Sequence, residues 1–106
     1  MAVDILPGIQ RSYRSNSYRF TYHGLQEATA DDLTVEQVRS AIIHSGAEIV
    51  EDYPDHPRGA CCLILGWLDD GQPIHAVVSY PTDVTVITVY RPDERRWPNP
   101  RFRRLS

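Results

Sequence analysis

Histidine, cysteine and arginine are the side chains of this sequence with types suited to chemistry. His23 opens a helical stretch, and His75 projects from an apolar strand, beside a turn, on the face opposite Ile74 and Ala76. An imidazole changes charge near neutral pH and can give or take a proton. His23 and His75 are therefore the acid/base candidates, although each position also suits a purely structural histidine. His44, in the last turn of a capped helix, suits the helix dipole, and His56 sits in a Pro-rich loop between Asp55 and Pro57. Adjacent Cys61 and Cys62 fall within a strand, so they point to opposite faces and read as packed thiols without redox or metal work. Two histidines with no nearby cysteine and no fixed carboxylate spacing predict neither a metal site nor a cofactor. No phosphate-binding glycine loop, GxSxG elbow, HExxH or paired CxxC occurs.

The elements that must carry these residues are legible from pattern. Thr34 followed by Gln37 is a capping box. Val35, Val38, Ala41 and Ile42 then share one helical face, and Gly46 stands where a left-handed C-cap would end the helix, which predicts a helix over 35–45. A weaker helix runs from about His23 to Ala30. Four strands follow, over 47–53, 60–68, 74–80 and 84–91. The second is apolar on both faces, as a central strand must be, and Asp70-Gly71 and Pro81-Thr82-Asp83 make tight turns. Short links make neighbouring strands antiparallel. The expectation is an α+β domain of two helices packed on one face of a four-stranded antiparallel sheet.

Residues 1–17 carry Pro7, Gly8 and a Ser-rich stretch and read as a flexible N-terminal arm, 18–92 as the α+β domain, and 93–106 as a basic and aromatic C-terminal arm. The chain has 106 residues, enough for one core. Its hydrophobic fraction of 42% and charged fraction of 24% are those of an ordinary globular protein. The longest apolar run, Ala60 to Leu68, is far below the roughly 20 residues of a membrane helix. With no signal-peptide pattern, the expectation is a cytoplasmic protein that does not engage a membrane.

Net charge is −3, from 14 acids against 11 cations, and every cation is arginine. Arginine's planar fork grips carboxylate or phosphate in two places. The charge is uneven. Acids crowd 27–55, and six arginines crowd 91–104. Such halves attract nucleic acid, a partner protein or each other.

Tyr22-His23, the run Leu33 to Val38, Glu51 to Asp55, Cys62 to Gly66, Gly71 to Val78, Val86 to Asp93 and Arg96-Trp97 together resemble a small bacterial family of unknown function, grouped with RelE/ParE-like toxins of the barnase–colicin–RelE fold class. The likeness spans 22–97. It implies a RelE-like two-layer fold and a metal-independent ribonuclease acting on mRNA, held silent by an antitoxin protein. On that resemblance His23 and His75 are the acid/base pair, Tyr90 is the auxiliary hydroxyl and Arg91 meets the phosphate. Such a relay requires the two imidazoles to converge on one solvent-reachable pocket.

Acids at Glu27, Asp31 and Asp32, where relatives carry arginines or glycine, would repel RNA. They support the alternative, a noncatalytic protein-binding module or a homodimeric inactive relative. The C-terminal arm could stack on bases, fill a groove on a partner, or pack Trp97 and Phe102 on its own domain.

Overall fold

The computed structural model describes residues 5–15, 18–80 and 84–101. The elements run α1 (Leu6–Arg14), β1 (Arg19–Phe20), α2 (Tyr22–Ala30), α3 (Val35–Ile42), β2 (Glu48–Tyr53), β3 (Cys61–Trp67), β4 (Pro73–Ser79) and β5 (Thr85–Tyr90). The strands form one sheet in the order β1-β5-β4-β3-β2, with β1 parallel to β5 and the other neighbours antiparallel. The α+β class and the four-strand meander match expectation. The sheet nevertheless has five strands and is mixed, and the helices number three.

Both additions come from weakly patterned sequence. β1 is two residues long, too short to alternate. α1 lies within the expected arm at 1–17. Pro7 and Gly8 mask Leu6, Ile9 and Tyr13, which fall on one side of a helix. Pro7 fits in the first turn, where a missing N–H costs nothing. Ile9 and Tyr13 are fully packed in the core, so this segment docks on the body. The Arg39 Nε–H donates to the Tyr13 carbonyl at 2.8 Å, and Gln10 Nε2 donates to the Ile42 carbonyl at 3.0 Å, tying α1 to α3.

The capping box forms as read. Thr34 Oγ1 accepts from the Gln37 N–H at 3.0 Å, and Gln37 Oε1 accepts from the Thr34 N–H at 2.9 Å. α3 ends earlier than the pattern predicts, at Ile42, with Ile43 as C-cap at φ −86°. Gly46 is not a left-handed cap. Its N–H donates to His44 Nδ1 at 2.8 Å, so an imidazole nitrogen supports the chain after the helix instead. The turn at Asp70-Gly71 is as expected, with Gly71 at φ 86°.

One sheet face is the core. Cys62, Ile64, Ile74, Ala76, Val78, Val86 and Val89 pack there against Tyr13, Ala28, Val38, Ala41 and Ile42. Val86 and Val89 are three residues apart yet share that face because the ladder shifts register between Val77 and Val78, which Val86 opposes. Gly66 lies under α3, where a Cβ would sit 2.5 Å from the Ala41 carbonyl oxygen, so only glycine admits the helix this close. The opposite face carries Leu65, His75 and Tyr90 in one cross-strand row. The chain after β5 returns over this row, where Trp97 is buried. The described part of the basic and aromatic arm thus packs on its own domain through Trp97, while Phe102 lies outside the described residues.

Candidate functional site

Helix α2 is fastened to β5 at both ends, and this fastening builds the site. At its start Thr21 Oγ1 accepts from the Gly24 N–H and donates to the Ile87 carbonyl, each at 2.9 Å. Gly24 lets the helix approach closely, since a Cβ there would meet the Val86 carbonyl oxygen at 2.8 Å. At its end Asp31 Oδ2 accepts the Arg91 backbone N–H at 2.7 Å, and the Asp31 carbonyl accepts Arg91 Nε–H at 3.0 Å. Between α2, the outer face of β5 and the returning chain lies a hollow of about 370 Å³, lined by Glu27, Thr88, Tyr90, Arg91, Asp93, Arg96 and Trp97.

Two of the four residues expected to work together, Tyr90 and Arg91, line this hollow directly. His23 is exposed on α2 and reaches it through Glu27, whose Oε1 lies 3.0 Å from His23 Nε2. That oxygen is buried and has no aligned hydrogen-bond donor among the described residues, so the contact is one of charge when the ring is protonated.

His75 does not face the hollow. Its ring has no exposed surface and lies edge-on to Trp97 and Tyr90, with centroids 4.3 and 5.3 Å away. Nε2 is 2.7 Å from the Pro100 carbonyl oxygen, and Nδ1 is 3.2 Å from the Tyr90 hydroxyl. A carbonyl can only accept, so Nε2 carries the proton and Nδ1 of the neutral ring accepts. With the ring neutral, the Tyr90 hydroxyl donates to His75 Nδ1. The two imidazoles do not share a solvent-reachable pocket in this packing, because Trp97 and Pro100 cover one of them. His75 acts on the site by holding Tyr90.

Arg91 is a junction. Besides its bonds to Asp31, its Nη1–H donates to Gln72 Oε1 at 2.9 Å, and it lines two further hollows. The acceptors of its guanidinium, the Asp31 carbonyl and Gln72 Oε1, are neutral groups. Carboxylates line the same hollows: Glu36, Asp69 and Asp70 in one, Glu27 and Asp93 beside Arg96 in the second, Glu94 in the third. Asp31, read in sequence as a departure that would repel RNA, turns out to be a structural acceptor for the backbone of Arg91.

The remaining candidates are structural. Burial pushes the Cys62 thiol up to about 12, with Asp52 and Cys61 adding to the effect, and pushes the Cys61 thiol up as well. Neither is a ready thiolate. Among the described residues no group of three His, Cys, Asp or Glu side chains could hold a metal ion. Glu27, Arg96 and Trp97 belong to the site although pattern did not assign them. Arg96-Trp97 stood out as an aromatic–arginine pair, but its return onto β4 is a tertiary event.

Fold and site together define a small α+β domain with helices on one sheet face, a returning chain on the other, and an arginine-centred cleft between them. No helix among the described residues is long and apolar enough to cross a membrane. Residues 20–91 match the family described as a domain of unknown function, DUF4258, and the chain belongs to that family. Searches of curated proteins and of solved structures gave no match.

Proposed function

We propose that the domain is a noncatalytic binding module that takes a basic segment of a partner protein on the acidic surface around Arg91. The observation that carries this reading is the excess of carboxylates lining the three hollows that share Arg91, Glu27, Glu36, Asp69 and Asp70 on the body and Asp93 and Glu94 on the returning chain, against Arg91 and Arg96. Such a surface attracts a cationic segment and repels a polyanion. Arg91, fixed by the neutral acceptors of the Asp31 carbonyl and Gln72 Oε1, suits one carboxylate within that segment.

Nuclear magnetic resonance titration tests the reading. A synthetic Arg-rich peptide with one Glu should shift signals of Tyr90, Arg91 and Trp97, and the shifts should shrink as salt rises. A twelve-nucleotide RNA should not compete. Tighter binding of the RNA than of the peptide would overturn it.

A second reading, a RelE-like, metal-independent ribonuclease with an antitoxin partner, is favoured by the meeting of Tyr90, Arg91 and the His23–Glu27 pair at one cleft. In it Arg91 and Arg96 would hold phosphate and His23 would move the proton. Growth arrest on induction, relieved by His23→Ala, together with RNA cleavage in a chelator, would establish it. Unhindered growth and intact RNA would dismiss it.

A further inference from the structure

The hollow that Arg91 shares with Glu94 differs from the other two in its walls. It measures about 440 Å³ and is bounded by Pro73, Pro92, Pro98, Pro100 and Trp97. Proline has a fixed φ and no N–H to donate, so these walls are stiff and apolar. They are also braced from beneath. Buried His75 donates from Nε2 to the Pro100 carbonyl at 2.7 Å and lies edge-on to the buried Trp97 ring, with centroids 4.3 Å apart. The covered imidazole therefore holds two walls of a hollow that it does not line.

Arg91 and Glu94 are the charged side chains lining this hollow among the described residues. Arg91 gives Nε–H to the Asp31 carbonyl and one Nη1–H to Gln72 Oε1, which uses two of its five guanidinium N–H groups. The other three lie on Nη1 and Nη2, the edge of the fork that takes both oxygens of a carboxylate. Gln72 itself lines the hollow, so its bond brings the Nη1 end of the guanidinium there. Glu94 is exposed and offers an acceptor to an ammonium. An apolar hollow of this size with a few convergent polar groups has the form of a small-molecule site.

We propose that this hollow binds a free α-amino acid with a flat aromatic side chain, its carboxylate on Arg91, its ammonium on Glu94 and its ring against Trp97 and the prolines. Charge selects the zwitterion. An anion without the ammonium meets Glu94 unanswered on an acidic surface, and a cation without the carboxylate meets Arg91. The site goes beyond the partner reading and shares Arg91 with it.

Titration of the full chain with L-phenylalanine, followed by nuclear magnetic resonance, tests the site. Saturable shifts are expected at the Trp97 indole N–H and the Arg91 Nε–H, with half-saturation at about 1 mM or below. Three analogues each drop one contact: 3-phenylpropionate lacks the ammonium, phenethylamine the carboxylate and L-alanine the ring. Phenethylamine and L-alanine should each bind at least about tenfold more weakly, and 3-phenylpropionate about threefold more weakly, since Glu94 is exposed. Glu94→Gln should bring L-phenylalanine down to the level of 3-phenylpropionate. Arg91→Gln should weaken it at least about tenfold, and if that variant fails to fold the analogues decide alone. Absence of a saturable shift at Trp97, or shifts confined to the exposed Tyr22 and Leu25 on α2, overturns the site. Phenethylamine or L-alanine binding as tightly as L-phenylalanine overturns the ligand class. Saturable L-phenylalanine binding beside an inert Arg-rich peptide would remove the partner reading and uphold this hollow.

Discussion

Asp31 and Arg91 stand 60 positions apart in the chain and are joined twice, through the Asp31 carboxylate to the Arg91 backbone N–H at 2.7 Å and through the Asp31 carbonyl to the guanidinium at 3.0 Å. The pair fixes the end of α2 to the end of β5 and so sets the width of the cleft. Asp31→Ala would leave a half-buried N–H without its acceptor, at a cost of roughly 1–3 kcal/mol, while Asp31→Asn keeps an oxygen there and should cost less. Urea denaturation of the two variants measures the difference. Equal losses would show that the carboxylate's charge, not its acceptor oxygen, is what matters.

Gly66 and Gly8 should respond to alanine with opposite signs. A Cβ at Gly66 would drive into the Ala41 backbone of α3, whereas at Gly8 nothing lies within 4 Å. Gly66→Ala should lose roughly 1–3 kcal/mol from forced separation of helix and sheet. Gly8→Ala should gain about 0.5–1 kcal/mol by restraining the unfolded chain within a helix. Calorimetric melting of both variants distinguishes a packing requirement from simple glycine flexibility.

The capping box at Thr34 sets the first turn of α3, the helix that covers Gly66. Thr34→Ala should cost about 1 kcal/mol, and Thr34→Ser should restore most of it, since the hydroxyl supplies the acceptor. Amide hydrogen exchange at Gln37 offers a local check. Its protection should fall in the alanine variant and return with serine.

Stability should fall on the alkaline side. Donation of the Tyr80 hydroxyl to Asp52 Oδ1, at 2.6 Å, is the main cause holding that phenol up at about 12, and burial holds the Cys62 thiol at about 12. Both values lie above the ordinary 10.0 and 9.0 that these groups recover on unfolding. Below pH 9 both states keep the protons and the contribution is complete. As pH rises through 9 toward 12 the unfolded chain releases protons first, and the contribution is lost. Melting temperature should therefore decline over that window, less steeply in Tyr80→Phe. An identical decline in Tyr80→Phe would remove the Tyr80–Asp52 bond from the explanation. At pH 8, Cys62 should resist aromatic disulfide reagents until the protein is denatured.

How far the sequence could be read divides along local and nonlocal lines. Thr34 and Gln37 are three positions apart, Asp70-Gly71 is a two-residue turn, and the strands from Cys61 to Tyr90 declare themselves by β-branched and apolar alternation. Each of these depends on neighbours within a few residues. α1 escaped notice because Pro7 and Gly8 interrupt its pattern, though both are harmless in a first turn. β1 escaped because two residues carry no period. Gly46 misled because a glycine after a helix is usually a left-handed cap, and here the His44 ring does part of that work.

The candidate site shows the same division more sharply. Residue type marked His23 and His75 as chemically capable, the family resemblance added Tyr90 and Arg91, and β alternation set His75 on the face opposite Ile74. Nothing in the local sequence says that Trp97 and Pro100 return to cover that face, or that Asp31 spends its carboxylate on the backbone of Arg91. Those pairings bring together segments separated by tens of residues. They were decided by which apolar surface remained open once the helices had taken the other side of the sheet, a competition that exists only in three dimensions.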